Sequence, residues 1–249
     1  MLTSSEVITF LQETRVRFDA FCRKFNPGSE IEVQDFDSPL GPLQVATSCG
    51  EVFEKASCTY CDLEIDTPPV LFEQMETKVP KMQALCLEVN IFPANPKVPK
   101  SYMELRANSA GKVILAGGTD IFPYFPDQND HDLVAGRIRS LCEQHGLDYR
   151  ALQKTRADFF QSKYRPGPVG SHAGIYSFSQ PESDFAFFKE MGVVYFEIYE
   201  ELVARHGSEP FGSEDKAHQH KLHGQWAQWV MVEDEGTLFG LRKGIPIDS

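Results

Sequence analysis

The sequence predicts an α+β protein, and three observations indicate this class. Residues 3–25 carry the apolar stripe of an amphipathic helix. Residues 31–117 contain successive short runs with strand character, and residues 130–206 return to helical spacing. A chain of 249 residues in this order, with no repeat and no linker, suits a single domain over 1–249.

The first half is predicted to be one helix followed by strands. Thr3 and Glu6 have the spacing of a capping box at the start of the helix, and Asn26-Pro27-Gly28 ends it. The predicted strands lie near 31–36, 43–47, 51–60, 84–92, 101–107 and 112–117. In the fourth of these strands, apolar residues alternate strictly with other residues, as expected of a half-buried strand.

The second half is predicted to be mostly helical. Helices are expected near 130–145, 148–163 and 183–206, with Gly207 ending the last. The Pro/Gly-rich segment 165–174 predicts a loop that could cover a site. Strands are predicted at 225–232 and 237–241, joined by a turn at Glu235-Gly236.

Charge and composition exclude several classes of function. Lys and Arg number 24 and Asp and Glu number 36, which gives a net charge of −12 and argues against binding to nucleic acid. The amino terminus has no basic region, and no apolar run reaches the roughly 18 residues that a membrane span needs. Six cysteines are too few for a disulfide scaffold, so a cytoplasmic, reducing location is expected.

One predicted strand carries polar side chains that suit a cleft. Met103 and Leu105 should face the core, because alternate side chains of a strand point to opposite faces. Tyr102, Glu104 and Arg106 should then lie together on the other face. A phenol, a carboxylate and a guanidinium in this arrangement predict a ligand cleft; the alternative is a solvated face of the sheet.

Two short motifs resemble metal sites. Cys58 and Cys61 form a CxxC, but no second pair follows, so we interpret both as structural cysteines. His218, His220 and His223 are close enough in sequence to bind a metal, and the alternative is an exposed polar end of a helix.

Two further positions carry weaker signals. The segment Ala116-Gly117-Gly118-Thr119-Asp120 predicts a tight turn that presents Asp120. His172 lies in the Pro/Gly-rich loop, where it is either solvated or able to reach a cleft.

Several blocks of sequence are similar to motifs of one enzyme family. Residues 112–125, KVILAGGTDIFPYF, resemble WWFGGGxDLTPYY; 92–99, FPANPKVP, resemble HPxNPxVP; and 52–56, VFEKA, resemble GVFEKAG. Residues 234–241, DEGTLFGL, fit YDRGTxFGL; 158–165, DFFQSKYR, fit DDYFxxKHR; and Arg106 matches the Arg of NVR. These motifs, in this order, are those of the oxygen-dependent coproporphyrinogen III oxidase family, which the chain therefore resembles.

The resemblance implies a fold and a chemistry. The fold is a large antiparallel sheet flanked by helices on both faces, and the assembly is a homodimer. The family uses molecular oxygen, with no organic cofactor and no generally agreed metal, to convert two propionates of a porphyrinogen to vinyls. By the resemblance, the candidate substrate-binding residues are Arg106, Glu104, Asn95 and Tyr124, and the candidate catalytic residues are Tyr102, Asp120 and Asp234. Asp120 or Asp234 is expected to stabilise positive charge on the pyrrole rings.

Departures from the motifs suggest a changed substrate. Tyr102 occupies the place of the family's proton-donating His, and Glu104 that of an Asn. Phe92 replaces a second His, and Glu235 replaces an Arg. Losing cationic groups should weaken the binding of a substrate with four carboxylates.

Three functions therefore stay open. The leading hypothesis is an oxygen-dependent oxidative decarboxylase for a smaller aromatic substrate that bears a carboxylate. The alternatives are conversion of coproporphyrinogen III to protoporphyrinogen IX in heme biosynthesis and a catalytically silent tetrapyrrole-binding protein. Candidate ligands for a metal are Asp62, Glu104, His172, His218, His220 and His223.

The carboxyl terminus also departs from the family. The chain ends soon after Phe239-Gly240-Leu241, so we expect it to lack the family's tail, which carries a GGR substrate contact and a dimer-forming segment.

Overall fold

A computed structural model describes residues 1–167, 169–171 and 173–247. Its centre is a seven-stranded sheet in which every strand pairs antiparallel with the next one along the chain. The strands are β1 (Ile31–Ser38), β2 (Gly41–Ser48), β3 (Phe53–Asp66), β4 (Lys81–Pro93), β5 (Lys100–Ser109), β6 (Val113–Phe122) and β7 (Ile175–Pro181). The predicted α+β class and antiparallel sheet are confirmed.

Helices cover both faces of the sheet. They are α1 (Ser4–Phe25), α2 (Pro69–Gln74), α3 (Gln128–Gln144), α4 (Tyr149–Phe159), α5 (Phe185–His206), α6 (Ser213–Val232) and α7 (Glu235–Arg242). Helices α1, α3, α4 and α5 contribute to the main hydrophobic core on one face. Helix α6 lies over the other face, where it packs on a smaller apolar cluster, and Ile245, which follows α7, packs on another.

The predicted capping box begins α1. The Thr3 hydroxyl accepts from the backbone N–H of Glu6, and the Glu6 carboxylate accepts from that of Thr3, so two otherwise unpaired donors are satisfied. At the other end, the Asn26 side chain accepts from the backbone N–H groups of Val52 and Phe53, both at 3.0 Å. The end of α1 is thereby fixed to the start of β3.

Alternation of side chains along the central strands gives the sheet one apolar face and one polar face. Leu85, Leu87, Val89 and Ile91 of β4 are all buried in the main core, as predicted. The intervening residues of β4 share the other face of the sheet with the polar side chains of β5. The buried charged side chains of β5 therefore lie on the second face.

Two predicted strands are helical. Residues 225–232 belong to α6 and 237–241 to α7. Trp226, Trp229 and Val230 are spaced i, i+3 and i+4, so one face of a helix presents all three to the sheet. Helix α2 and strand β7 were not predicted.

The predicted turn before Asp120 is also wrong, because the whole segment runs through β6. Gly117 has a φ of +127°, and a Cβ on it would lie 2.1 Å from the carbonyl oxygen of Glu104. The glycine permits close approach of β5 rather than a reversal of the chain. Asp120 consequently lies within a strand.

Among the described residues, no helix is long and apolar enough to span a membrane.

Candidate active site

The polar face of the sheet brings side chains from three central strands into rows. Tyr102 of β5 lies opposite Asn90 of β4 and Asp120 of β6, and Glu104 lies opposite Glu88. Because paired residues point to the same face, the predicted grouping on β5 extends over neighbouring strands.

Glu104 is the centre of a buried cluster. One of its oxygens accepts from the hydroxyls of Tyr102 at 3.0 Å and Tyr176 at 2.5 Å. The other lies 3.5 Å from the Arg106 guanidinium and accepts from the Cys86 thiol at 3.5 Å. The structure thus brings Tyr102, Glu104 and Arg106 together, and this part of the face is a closed polar network rather than a solvated surface.

The network sets the protonation of its members. Burial raises the pKa of Glu104, but Arg106 and the hydroxyl and thiol donors more than offset it, so the pKa lies below its usual range. Glu104 raises the pKa of Arg106 in turn. Burial and then Glu104 hold the pKa of Tyr102 well above 10. Burial and Glu104 also hold the pKa of Tyr176 well above its ordinary value. At neutral pH the cluster therefore contains one paired carboxylate and two neutral phenols.

Asp120 belongs to a second buried network. Its carboxylate lies 2.5 Å from the Arg156 guanidinium and accepts from the Ser171 hydroxyl at 2.5 Å and the Gly174 N–H at 3.0 Å. A Cβ on Gly170, whose φ is +101°, would lie 1.8 Å from an Arg156 nitrogen. The pair therefore anchors the loop before β7, and Asp120 is buried with all these partners engaged.

A cavity of about 290 Å³ lies between the end of β5, the loop after α4, and α6. Its lining includes Lys100, Phe122, Tyr124, Arg165, His223, Trp226 and Trp229. Two side chains from the resembled motifs, Tyr124 and Arg165, therefore meet in this cavity.

Lys100 forms part of the cavity wall and is only 1% exposed. Its Nζ lies 3.7 Å from the ring centre of Trp226 and 4.4 Å from that of Phe122. Asn90 accepts from it at 2.9 Å, and Asn90 in turn donates to Glu88 at 2.5 Å.

Burial moves the pKa values of Lys100 and Glu88 towards neutrality. It lowers the pKa of Lys100 to about 7, and Glu88 opposes this shift. It also raises the pKa of Glu88 to about 7, with a further contribution from Glu104. Burial lowers the pKa of His223 to about 4, so its ring is neutral at pH 7 beside the Tyr124 hydroxyl.

Two predicted site residues have structural partners outside the cavity. The Asn95 amide donates to the carbonyls of His206, Gly207 and Glu209, which fixes the end of α5. The Asp234 carboxylate accepts from the Thr237 N–H at 2.7 Å and caps α7. Their predicted roles towards substrate and rings stay predictions.

The candidate metal ligands do not converge. Asp62 lies opposite Leu85, on the core side of the sheet, whereas Glu104 is on the polar side. The three histidines are in the middle of α6 and not at a helix end: His218 contacts the Tyr124 carbonyl, and His220 is exposed. His172 lies outside the described residues. Within 1–167, 169–171 and 173–247, no three His, Cys, Asp or Glu side chains form a metal site.

The CxxC is a strand feature. Cys58 is buried in the core, whereas Cys61 faces the opposite side, as the odd spacing within β3 requires. The two thiols therefore belong to different faces of the sheet, consistent with their interpretation as structural cysteines.

Sequence reasoning missed Glu88, Lys100, Arg156 and Tyr176. Glu88 has the opposite parity to the predicted core residues of β4, and Lys100 has the parity of Tyr102, so alternation alone could have identified both. Arg156 follows Tyr149 and Leu152 on one helical face, which marks it as buried. Tyr176 carried no signal, because its strand was not predicted.

Comparison with known proteins identifies the family. Residues 7–249 match the family model described as coproporphyrinogen III oxidase. The chain belongs to this family. It is 24% identical over 202 residues to the oxygen-dependent coproporphyrinogen-III oxidase of Rickettsia akari (strain Hartford). The matched residues are 77% of this chain and 71% of the relative.

Two further relatives of the same name are similarly distant. The Drosophila melanogaster protein is 26% identical over 246 residues, covering 89% of this chain and 63% of the relative. The Rickettsia rickettsii (strain Sheila Smith) protein is 26% identical over 151 residues, covering 59% and 54%. The chain therefore matches between about half and seven tenths of each coproporphyrinogen-III oxidase.

Two of the departures from the resembled motifs of the coproporphyrinogen III oxidase family lie beside Arg106. Tyr102 and Glu104, which replace a His and an Asn of the resembled motif, both contact this cluster. Lys100, two residues before Tyr102, belongs to the adjacent cavity.

Proposed function

We propose that this chain is an oxygen-dependent oxidase that decarboxylates an aromatic substrate smaller than coproporphyrinogen III. The observation that carries the proposal is the pairing of Arg106 with Glu104. A substrate carboxylate would have to displace an internal carboxylate that two tyrosines also hold in place. Arg106 is therefore a poor anchor for a propionate here.

The cavity offers the alternative anchor. Arg165 is a cationic side chain of its lining, and Lys100 adds an amine that can donate a hydrogen bond. Trp226 and Phe122 provide aromatic walls. A volume of about 290 Å³ lies at the lower end of the range of small-molecule sites. This combination supports a planar ring with one or two carboxylates better than a macrocycle with four.

The reaction follows the family's chemistry. A propionic acid side chain and molecular oxygen give a vinyl group, carbon dioxide and hydrogen peroxide. The substrate loses two electrons as its carbon–carboxylate bond breaks, and oxygen accepts them together with two protons. Tyr102 would act here by holding Glu104, since a phenol with so high a pKa is a weak proton donor.

Coproporphyrinogen III itself is the second candidate substrate. The match to the family model over 7–249 favours it, because nearly the whole chain retains the family's order of motifs. On this reading, substrate binding would rearrange the Glu104 cluster.

The test mixes the protein with substrate without oxygen and then admits oxygen. Coproporphyrinogen III and the fused bicyclic acid indole-3-propionate are compared by mass spectrometry of the products, with oxygen uptake and metal content measured in parallel. We expect loss of carbon dioxide from the smaller acid only.

Two other outcomes are informative. Sequential loss of two carbon dioxide molecules from coproporphyrinogen III would replace the proposal with the second candidate. Retention of porphyrin without oxygen uptake would indicate a binding protein. The variant Lys100→Met, compared with Lys97→Met, tests whether the cavity holds the smaller acid.

A further inference from the structure

We infer that Lys100 is a nucleophilic amine that forms an imine with the carbonyl group of a small aromatic aldehyde or ketone. The inference goes beyond the proposed oxidase reaction and does not require it. It rests on the position of Nζ in the cavity wall, on the rings around it and on its polar partners.

Lys100 is a buried lysine beside a cavity and not a solvated one. Lys100 is the first residue of β5, and its side chain lines the cavity and is 1% exposed. Four rings surround Nζ, at 3.7 Å for Trp226, 4.4 Å for Phe122, 5.2 Å for Phe92 and 5.9 Å for Tyr102. A planar aromatic ligand in the cavity would therefore stack beside the amine.

The polar environment of Lys100 is sparse. Within the described part of the chain, its Nζ has one hydrogen-bond partner, the Asn90 side chain, and no ion pair. An ammonium has three donors, so two lack a protein partner. Burial without a paired carboxylate favours the neutral amine, which is the nucleophile, whereas the surrounding rings attract the ammonium form.

The titratable groups facing Lys100 come from four elements besides its own. Glu88 of β4 and Asp120 of β6 raise its pKa, and Arg156 of α4 lowers it. Lys100 in turn lowers the pKa of His223 of α6. Burial outweighs all of these and brings the pKa of Lys100 to about 7.

The proposed step is balanced without an oxidant. The amine attacks the carbonyl carbon to give a carbinolamine, which loses water to leave a carbon–nitrogen double bond. Loss of water requires a proton donor. Glu88 is suited to this role because its pKa is raised to about 7 and it contacts Asn90 beside the amine.

The experiment exposes the folded protein, without oxygen, to 4-formylbenzoate and sodium cyanoborohydride at pH 7. Cyanoborohydride reduces an imine to a stable amine, and peptide mass spectrometry locates the adduct. We expect Lys100 to be modified about ten-fold or more faster than Lys97, because only a free amine attacks the carbonyl. Lys97 is the matched control, since its Nζ is paired with Asp215 at 2.9 Å.

The pH profile gives a second readout. The rate at Lys100 should rise through about pH 7 and then level off, because the amine is then fully deprotonated. An ordinary lysine continues to gain free amine up to a pKa near 10.4.

Lys100→Met should abolish the adduct, whereas Lys97→Met should leave it unchanged. If Lys100→Met does not fold, the wild-type adduct map decides alone, with the same reaction in urea as the reference in which Lys100 loses its advantage. Modification of Lys100 no faster than Lys97, or adducts confined to exposed lysines such as Lys154, would overturn the inference.

Discussion

Glu104 lies between Arg106 and two tyrosine hydroxyls, and every contact in this cluster favours its charged form. The guanidinium is consequently neutralised from within the protein. Its side chain is still 29% exposed, so a ligand can approach it but meets a carboxylate next to it. Glu104 thus stabilises the cluster and at the same time weakens the binding of an anionic ligand at Arg106.

Replacing Glu104 should restore anion binding. In Glu104→Asn, which introduces the residue of the resembled motif, Arg106 has no internal carboxylate. Coproporphyrin III is the stable oxidised form of the family substrate. Its affinity for Glu104→Asn should be at least about ten-fold higher than its affinity for the wild type, since a charge-assisted hydrogen bond is worth about 1.5–3 kcal/mol. Quenching of tryptophan fluorescence measures the dissociation constants.

The control for this change is Glu64→Gln, which removes the same charge from an exposed position on β3. Thermal unfolding of each variant establishes that it is folded. Equal affinities in the wild type and Glu104→Asn would mean that Arg106 does not bind the ligand in either protein.

Alternation in β5 was sufficient to predict the shared face of Tyr102, Glu104 and Arg106, because a strand offers only two faces. It could not predict that Glu104 would be held both by the Arg106 guanidinium and by tyrosine hydroxyls. Tyr176 comes from β7, on the far side of β6, and that pairing depends on long-range register. Local pattern specifies the face of a residue, whereas tertiary contacts specify its partners.

Helix α6 closes the polar face of the sheet at the scale of an element. Trp229 is buried, and its indole N–H donates to the Gln161 carbonyl at 3.0 Å. Trp226 packs on Phe122 and Phe160. These contacts join α6 to the end of β6 and to the segment after α4, so the helix forms one wall of the cavity.

Truncating the buried tryptophan should therefore destabilise the protein strongly. Trp229→Ala should lower the free energy of unfolding by about 3–5 kcal/mol, the usual cost of emptying a large core position. Met231→Ala, two residues away and 38% exposed, should change it by less than about 0.5 kcal/mol. Urea denaturation followed by circular dichroism measures both. Similar small effects for the two variants would show that α6 is only loosely attached.

The prediction of a strand at 225–232, within this helix, is the main error at this scale. The sequence QWAQWVMV is a short apolar run, and such a run fits a buried strand as well as the face of a helix. The flanking polar residues from Ser213 onward extend the helix far enough to favour the second. The strongly periodic elements α1 and β4, by contrast, were predicted correctly because their pattern persists over many residues.

At the scale of the whole molecule, the sheet is a partition between two kinds of environment. One continuous apolar core runs from Val7 in α1 to Val203 in α5. The opposite face holds the Glu104 cluster, the Asp120–Arg156 pair and the cavity under α6. A charged residue on the polar side can therefore change without disturbing the main core, which allows the site to diverge while the fold is kept.

Cooperativity of these two layers can be tested with the native tryptophans. The chain has two, Trp226 and Trp229, and both are in α6, so tryptophan fluorescence reports the layer over the polar face. Far-UV circular dichroism reports all helices and strands. If residues 1–249 form one domain, as the sequence predicts, both signals should change at the same urea concentration.

The contrary result would have a specific meaning. A fluorescence midpoint at lower urea than the circular dichroism midpoint would show that α6 unfolds before the sheet. The cavity would then open while the main core stays intact, because the core draws its residues from elsewhere in the chain. Adding a ligand of the cavity should in that case raise the fluorescence midpoint and leave the other unchanged, since a ligand stabilises only the states that bind it.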